Sequence, residues 1–243
     1  MKKYFEAAPD LESSTDDYAS RFDGAIGQWF LDVQMRGTRQ HLRGVDSGKI
    51  VDVGGGHGQT LGGLLEDGHE VVVTGSGASC AHRLKAWLDN ERASFEICPL
   101  TELPYPNDAF DAAISYRMMT HLEDWRGLVK ELSRVARRRV IVDYPTFRSF
   151  NCLNDLLFRW KKGVERNTRR YNVFHEADVI AAFRESGFAL RGRHGQFVLP
   201  MALHRAHGMR PLAALVEGCC RVFGLSYLFG SPVIACFEKE ELR

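Results

Sequence analysis

The chain has 243 residues, which is enough for one large α/β domain with a full core and too few for two domains of ordinary size. Its 32 lysines and arginines balance 31 acids and leave a net charge of +1, so no global basic surface argues for a nucleic-acid partner. The six cysteines form no CxxC pair and show no His/Cys spacing of the zinc-binding kind, which predicts buried free thiols.

The N-terminal region predicts one long helix after a polar leader. Residues 1–17 are polar and acidic, and the Ser, Thr and Asp cluster at 13–17 is typical of a frayed segment that ends in a helix cap. From residue 18 to 42 the apolar residues recur at spacings of three and four, which indicates one stripe of an amphipathic helix. We therefore expect an N-terminal helical cap over residues 1–44.

Strands and helices then alternate as far as residue 145. Short apolar runs predict strands at 50–53, 71–73, 95–98, 110–115 and 140–142, and the segments between them predict helices at 59–66, 81–90 and 125–137. Parallel neighbours need crossover helices, which cover both faces of a sheet. The order therefore predicts a doubly wound α/β sheet.

Two insertions interrupt this alternation. Residues 146–174 precede a predicted helix at 176–186 and a strand at 188–199, and residues 201–229 form a second, apolar insertion before a last strand at 232–237. We expect both insertions to be helical lids over the carboxyl ends of the strands, where open α/β sheets bind their ligands.

A glycine-rich loop joins the first predicted strand to the next helix. It reads Asp52, Val53, Gly54, Gly55, Gly56, His57, Gly58, in which three glycines alternate after an acid. A Cβ in such a loop would block both the tight turn and the approach of a ligand to the backbone. Because position 59 is Gln, the loop lacks the third glycine of the common dinucleotide pattern.

This loop resembles motif I of the class I S-adenosylmethionine (SAM)-dependent methyltransferases, and of the methyltransferase type 11 group in particular. Residues 103–111 resemble the family's approach to its fourth strand, and residues 121–125 with 131–135 resemble the segment that leads to its fifth. The resemblance covers residues 45–145. It implies one Rossmann-like methyltransferase domain over 1–243, with a SAM-binding core at 45–145 and a mostly parallel sheet whose last strand is antiparallel.

The resemblance also implies SAM as cofactor and S-adenosylhomocysteine as product. The residues that it places around the cofactor lie at the ends of the first, second and fourth strands and before the fourth. They are Asp52, Gly54, Gly55, Gly56, Gly58, Ser76, Gly77, Leu100 and Tyr116. For Asp52 a hydrogen bond that tethers the loop is an alternative role.

Two family acids are missing from this chain. Gly77 stands where the family places the acid that takes the ribose hydroxyls, and Pro99 stands where an acid contacts the adenine; Glu102 is near but shifted. Either Ser76, Ser79 and backbone groups bind the nucleoside, or the site is altered. The altered site would belong to a catalytically silent binding protein or to an enzyme with non-methylating chemistry.

On the acceptor side, His121 is a candidate general base because its ordinary pKa suits proton transfer near neutrality. Tyr144 is a candidate for orienting the acceptor through its phenol. Structural roles, a backbone-bonded His and a packed strand-end Tyr, are the alternatives. Six further residues are predicted to bind the substrate, most of them from the basic insertion: Arg117, Arg166, Arg169, Arg170, Tyr171 and His175.

The two insertions together suggest the kind of acceptor. A basic run favours an anionic group, although a solvated surface is the simpler alternative, and the apolar run 201–229 favours an amphiphilic or lipid-like molecule or contact with a membrane surface. His204 and His207 lack a third ligand, so no metal site is predicted. With no signal-peptide pattern and no uninterrupted apolar span, a cytoplasmic location is expected; the oligomeric state stays open.

Overall fold

The structure is a computed structural model that describes residues 8–149 and 172–240. Four of the predicted substrate-binding residues, Arg166, Arg169, Arg170 and Tyr171, lie outside the described residues. Their roles stay predictions.

Seven strands form one sheet with the order β3-β2-β1-β4-β5-β7-β6. The strands are β1 Lys49–Val53, β2 Glu70–Gly75, β3 Ser94–Ile97, β4 Phe110–Ser115, β5 Ala136–Tyr144, β6 Phe188–Phe197 and β7 Ser231–Lys239. The strands β1 to β5 pair in parallel, whereas β7 runs antiparallel to both β5 and β6. The predicted doubly wound, mostly parallel sheet with an antiparallel last strand is confirmed.

Helices flank the sheet and precede it. The α-helices are α1 Asp10–Ser13, α2 Asp16–Ser20, α3 Gly24–Leu42, α4 Leu61–Glu66, α5 Lys85–Leu88, α6 Met118–His121, α7 Trp125–Val135, α8 Glu176–Glu185, α9 Met201–His207, α10 Arg210–Val222 and α11 Leu225–Phe229. Two 3₁₀ helices, Gly55–His57 and Ala78–Leu84, follow β1 and β2. The insertion 201–229 is helical, as predicted, and its role as a lid stays a prediction.

The single helix predicted from residue 18 is wrong at its N-terminal end. Thr15 caps α2, because its hydroxyl accepts a hydrogen bond from the Tyr18 backbone N–H at 3.2 Å. Gly24 then has a φ of +70°, a left-handed conformation through which an α-helix does not continue, so α3 starts there as a separate helix. Similarly, the single helix predicted at 81–90 is wrong, because this stretch is divided between the 3₁₀ helix Ala78–Leu84 and the single turn α5.

Two apolar layers cover the faces of the sheet. In β1, Val51 and Val53 pack in the layer that contains residues of α7 and α8, while Ile50 packs in the layer that contains Leu61 and Leu64 of α4. These side chains are fully buried, as parallel strands covered on both faces require. The two layers thereby hold the carboxyl ends of the parallel strands in place.

None of the described helices combines the length and the apolar content that a membrane crossing requires. Within residues 8–149 and 172–240, no three metal-binding side chains are grouped to hold an ion. His204 instead contacts the buried carboxylate of Glu217, with 2.9 Å between Nε2 and Oε1.

Candidate functional site

The glycine loop leaves β1 through two left-handed glycines. Gly54 has a φ of +76° and Gly58 a φ of +69°, and they flank the 3₁₀ turn Gly55–His57. The Gly54 N–H donates to the carbonyl of Thr74 in β2 at 3.0 Å, so the loop is fixed at the carboxyl ends of both strands. A Cβ at Gly54 would lie 2.6 Å from the sulfur of Met118, which explains why only glycine suits this position.

Asp52 lies beneath the loop. It is completely buried, and its Oδ2 accepts a hydrogen bond from the Thr60 hydroxyl at 2.7 Å, while Oδ1 has no hydrogen-bond partner among the described residues. Burial raises the pKa of Asp52 to about 6, and the Thr60 hydroxyl and the charge of Arg117 oppose that rise. The contact with Thr60 supports the loop-tethering role, and cofactor binding by Asp52 stays a prediction.

The chain's own N-terminal segment covers the outer face of the loop. A Cβ at Gly56 would lie 2.3 Å from the Ser14 hydroxyl and 2.6 Å from the Cys80 carbonyl oxygen. Asp10 in α1 is completely buried, and Ser13 and Ser14 are nearly so. The expected frayed leader is therefore wrong for residues 10–14, because α1 packs against the carboxyl edge of the sheet.

Several buried polar atoms around this loop lack hydrogen-bond partners among the described residues. They include Asp10 Oδ1, Ser76 Oγ and His57 Nε2. A buried polar atom without a partner costs about 1 to 3 kcal/mol, so such a cluster is typical of a ligand site. The polar groups therefore fit a nucleoside, whereas the space over Gly56 is occupied by the Ser14 hydroxyl and by Cys80.

Apart from the glycine loop, a cavity of about 180 Å³ opens beyond β4 and β5. Its walls combine aromatic rings, among them Phe22 and Phe30, with charged and polar groups. The latter include Arg21, Gln34, Arg117, His121, Asp143 and Arg205. Three arginines around one small cavity favour an anionic ligand.

Arg117 is held in this cavity from several sides. Its backbone N–H donates to the buried carboxylate of Asp143, its Nη2 donates to Gln34 Oε1 at 2.8 Å, and its guanidinium carbon lies 4.7 Å from the ring centre of Phe22. Its backbone has a φ of +67°, which is uncommon for a residue with a side chain and is found at functional sites. Nη1 is buried and has no hydrogen-bond partner among the described residues, so one strong donor stays available.

Of the predicted acceptor residues, the structure brings Arg117 and His121 to this cavity. Tyr144 is buried in the apolar layer against Phe174, with 5.9 Å between ring centres, and burial raises the pKa of its phenol. His175 is exposed and stacks on Phe147 with ring centres 4.4 Å apart. The structure gives Tyr144 a packing role, and its part in catalysis stays a prediction.

The other predicted cofactor residues occupy different places. Ser76 and Gly77 lie at the end of β2 beside α1, while Leu100 is buried in an apolar layer. The Tyr116 hydroxyl is 2.6 Å from the Thr38 hydroxyl of α3, inside the opposite layer. The sequence analysis did not identify Asp10 or Gln34 as site residues. Gln34 could have been found, because a polar residue on the buried stripe of α3 indicates a functional or hydrogen-bonding role.

Comparisons with known proteins agree with this architecture. Residues 51–142 match the family profile described as a methyltransferase domain. The chain is 30% identical over 175 residues to malonyl-[acyl-carrier protein] O-methyltransferase of Halorhodospira halophila, an alignment that covers 69% of this chain and 57% of that protein. The chain thus spans little more than half the length of this curated relative.

Two solved structures share the fold at low sequence identity. Magnesium protoporphyrin IX methyltransferase of Synechocystis, with S-adenosylhomocysteine bound, has a TM-score of 0.64 and 14% identity, and the match covers 95% of this chain and 98% of that one. The Burkholderia thailandensis 1,6-didemethyltoxoflavin-N1-methyltransferase, bound to 1,6-didemethyltoxoflavin and S-adenosylhomocysteine, has a TM-score of 0.58 and 17% identity, with 95% and 85% covered.

Proposed function

We propose that this chain, which belongs to the class I SAM-dependent methyltransferase family, transfers the methyl group of SAM to a small acceptor that carries an anionic group. The preference for an anionic acceptor rests on the buried Nη1 of Arg117, a donor without a partner among the described residues. It lies in a cavity that two further arginines line. Unpaired donors of this kind select a ligand that supplies the missing acceptor.

The cofactor would bind at the carboxyl ends of β1 and β2. The loop Gly54 to Gly58 presents backbone groups there, and Ser76 adds a hydroxyl without a partner among the described residues. When bound, SAM supplies an electrophilic methyl group on a positively charged sulfur. The protein's part is to align the acceptor and to exclude water.

The acceptor would occupy the cavity lined by Arg21, Arg117 and Arg205, which we call the arginine cavity. Asp143 holds the Arg117 backbone, and Gln34 and Phe22 hold its side chain, so the guanidinium meets an anionic group with little loss of side-chain freedom. Where the acceptor atom is a hydroxyl, His121 in the same cavity would take its proton. The Halorhodospira relative is named for a malonyl acceptor and for transfer to oxygen, and a malonyl group offers a carboxylate of the kind that arginine binds.

The test measures release of S-adenosylhomocysteine with a panel of carboxylic acids, each paired with its neutral methyl ester. We expect turnover of acids and little turnover of esters. We also expect Arg117→Gln to raise KM for the acid, while the exposed Arg92→Gln serves as the matched control. Equal turnover of acids and esters by the wild type would contradict an anionic acceptor.

A catalytically silent protein of the same fold is the second candidate. Ser14 and Cys80 lie directly against Gly56, and Gly77 and Pro99 replace two acids, which favours this candidate over an ordinary cofactor site. Such a protein would release no S-adenosylhomocysteine with any acceptor. An enzyme with non-methylating chemistry would bind SAM and also release none.

We further propose that helices α10 and α11 contact an anionic membrane surface. Val222 is 84% exposed and Phe223 78% exposed, and the only acid in residues 201–229, Glu217, is buried, whereas Arg210 and Arg221 flank the apolar face. Sedimentation with vesicles tests this proposal. We expect binding to phosphatidylglycerol vesicles, weaker binding to phosphatidylcholine, and loss of both in Val222→Ser/Phe223→Ser; equal binding by that variant would contradict it.

A further inference from the structure

A buried carboxylate from the N-terminal segment lies at the end of β2. Asp10 is completely buried, and its Oδ2 accepts hydrogen bonds from the Ser76 backbone N–H at 2.6 Å and from the Cys80 thiol at 3.4 Å. Its Oδ1 is also buried and has no hydrogen-bond partner among the described residues. Burying a carboxylate in this way is unfavourable unless each oxygen is paired, so the free oxygen indicates a missing partner.

The position of this carboxylate suggests what the partner is. In doubly wound sheets the nucleoside binds where the first two strands end, and an acid after the second strand accepts the ribose hydroxyls. Here the residue at that place is Gly77, which has no side chain, and the neighbouring backbone N–H of Ser76 holds Asp10 instead. The side chain of Leu11 lies 3.1 Å from where a Cβ at Gly77 would be, so α1 lies over the place of an acid at position 77.

We propose that Asp10 binds the ribose hydroxyls of the nucleoside, as the substitute for an acid after β2. The inference rests on the proposed function, because it assigns a residue to the cofactor site of that function. A ribose offers two adjacent hydroxyl donors, and a carboxylate oxygen that is already oriented by Ser76 and Cys80 is a suitable acceptor for them.

Part of the segment that carries Asp10 has to move for a ligand to enter. The Ser14 hydroxyl, just after α1, and the Cys80 carbonyl lie over Gly56, so the nucleoside reaches that part of the glycine loop only when both move aside. A helix of four residues has few backbone hydrogen bonds to break, so a local movement next to it costs little free energy. Asp10 keeps its hydrogen bond to Ser76 during this movement and stays at the end of β2 as the group that binds the ribose.

The experiment compares adenosine with 2′,3′-dideoxyadenosine by calorimetry, with S-adenosylhomocysteine as the reference ligand. We expect wild type to prefer adenosine by roughly tenfold or more, because a site built to pair hydroxyls disfavours a ligand that lacks them. Asp10→Asn keeps the shape and removes the charge, and it should abolish most of this preference. Asp17→Asn, an exposed acid in α2, is the matched control and should retain it.

A second variant moves the carboxylate to the usual place. Gly77 has an extended backbone with a φ of −166°, and the atom nearest to its Cβ is the end of a flexible leucine, so Asp is tolerated there. In the Asp10→Asn background, Gly77→Asp should restore the preference for adenosine. Failure to restore it would overturn the claim that Asp10 substitutes for a residue at position 77.

The outcomes separate this inference from the proposed function. If wild type binds S-adenosylhomocysteine and Asp10→Asn keeps the preference for adenosine, the inference is wrong and the proposed function stands. If Asp10→Asn binds S-adenosylhomocysteine more tightly than wild type, α1 is a plug and the inference is also wrong. If wild type binds none of the three ligands, the proposed function itself fails.

Discussion

The glycine loop and the arginine cavity lie at the same carboxyl edge of the sheet, but they are built differently. The loop is a continuous stretch of chain whose outer face is covered by the N-terminal segment, and buried polar atoms around it, among them Ser76 Oγ and His57 Nε2, have no hydrogen-bond partner among the described residues. The cavity is open and gathers Arg21, Gln34, Arg117, His121, Asp143 and Arg205 from distant parts of the chain. Because none of the residues that line the cavity belongs to the loop, a substitution can alter one region without altering the other.

The largest effect is expected at the loop. In Gly56→Val the new side chain would occupy the space over the loop that the nucleoside needs, and it would also overlap Ser14 and the Cys80 backbone. We expect binding of S-adenosylhomocysteine to become undetectable by calorimetry. Malonate, which would bind in the arginine cavity, should still raise the unfolding temperature of the variant. Gly218→Ala, where a Cβ meets open space, is the control and should bind like wild type.

Buried charge beneath the loop should make the stability depend on pH. The pKa of Asp52 is raised to about 6 by burial, so the stability associated with its protonated form is present below its unfolded value and is lost as the pH rises through 6. Between pH 4 and pH 7, wild type should lose up to about 3 kcal/mol relative to Asp52→Asn. Urea unfolding of both proteins at each pH measures this difference. A difference that does not change with pH would show that the pKa of Asp52 is the same in the folded and unfolded states, which contradicts the raised value.

In the arginine cavity, Arg117→Gln should lower the affinity for the acceptor without changing the affinity for the nucleoside. Loss of charge-assisted hydrogen bonds costs about 1.5 to 3 kcal/mol, which corresponds to a rise in KM of roughly tenfold or more. The affinity for S-adenosylhomocysteine should stay within about twofold of wild type, because Arg117 lies beyond the loop. An equal loss of affinity for the acceptor and for S-adenosylhomocysteine would mean that the glycine loop and the arginine cavity form a single site.

The smallest effect is expected from Arg21, an exposed residue at the rim of the same cavity. An exposed charge contributes about 1 kcal/mol or less and is screened by salt. Arg21→Gln should therefore raise KM a few-fold at low ionic strength and have no effect in high salt. A defect that persists in high salt would place Arg21 in direct, water-excluded contact with the acceptor.

The sequence was sufficient for the parts of the molecule that depend on local pattern. The strands from β1 to β7, the glycine loop and the missing acid at Gly77 follow from period, turn residues and motif order, and the structure confirms the sheet. The break before Gly24 was not visible, because the apolar stripe continues across it. A left-handed glycine there decides the conformation.

The site was less predictable, for a physical reason. Asp10 reaches Ser76 across 66 positions of sequence, and Arg117 reaches Gln34 across 83, so no local pattern records either contact. Tyr144 is the last residue of β5, at the strand end near which ligands usually bind, yet the pleat of β5 directs it into the core while Asp143 contacts Arg117. Alternation along one strand thus separates a site residue from a packing residue.

Calorimetric titration of the wild-type chain with S-adenosylhomocysteine tests the central claim most directly, since every role assigned to the loop depends on it. We predict saturable binding of one molecule per chain that Gly56→Val removes and Arg117→Gln retains. Absence of binding at millimolar ligand, with the protein folded, would contradict the account and favour a silent protein of this fold.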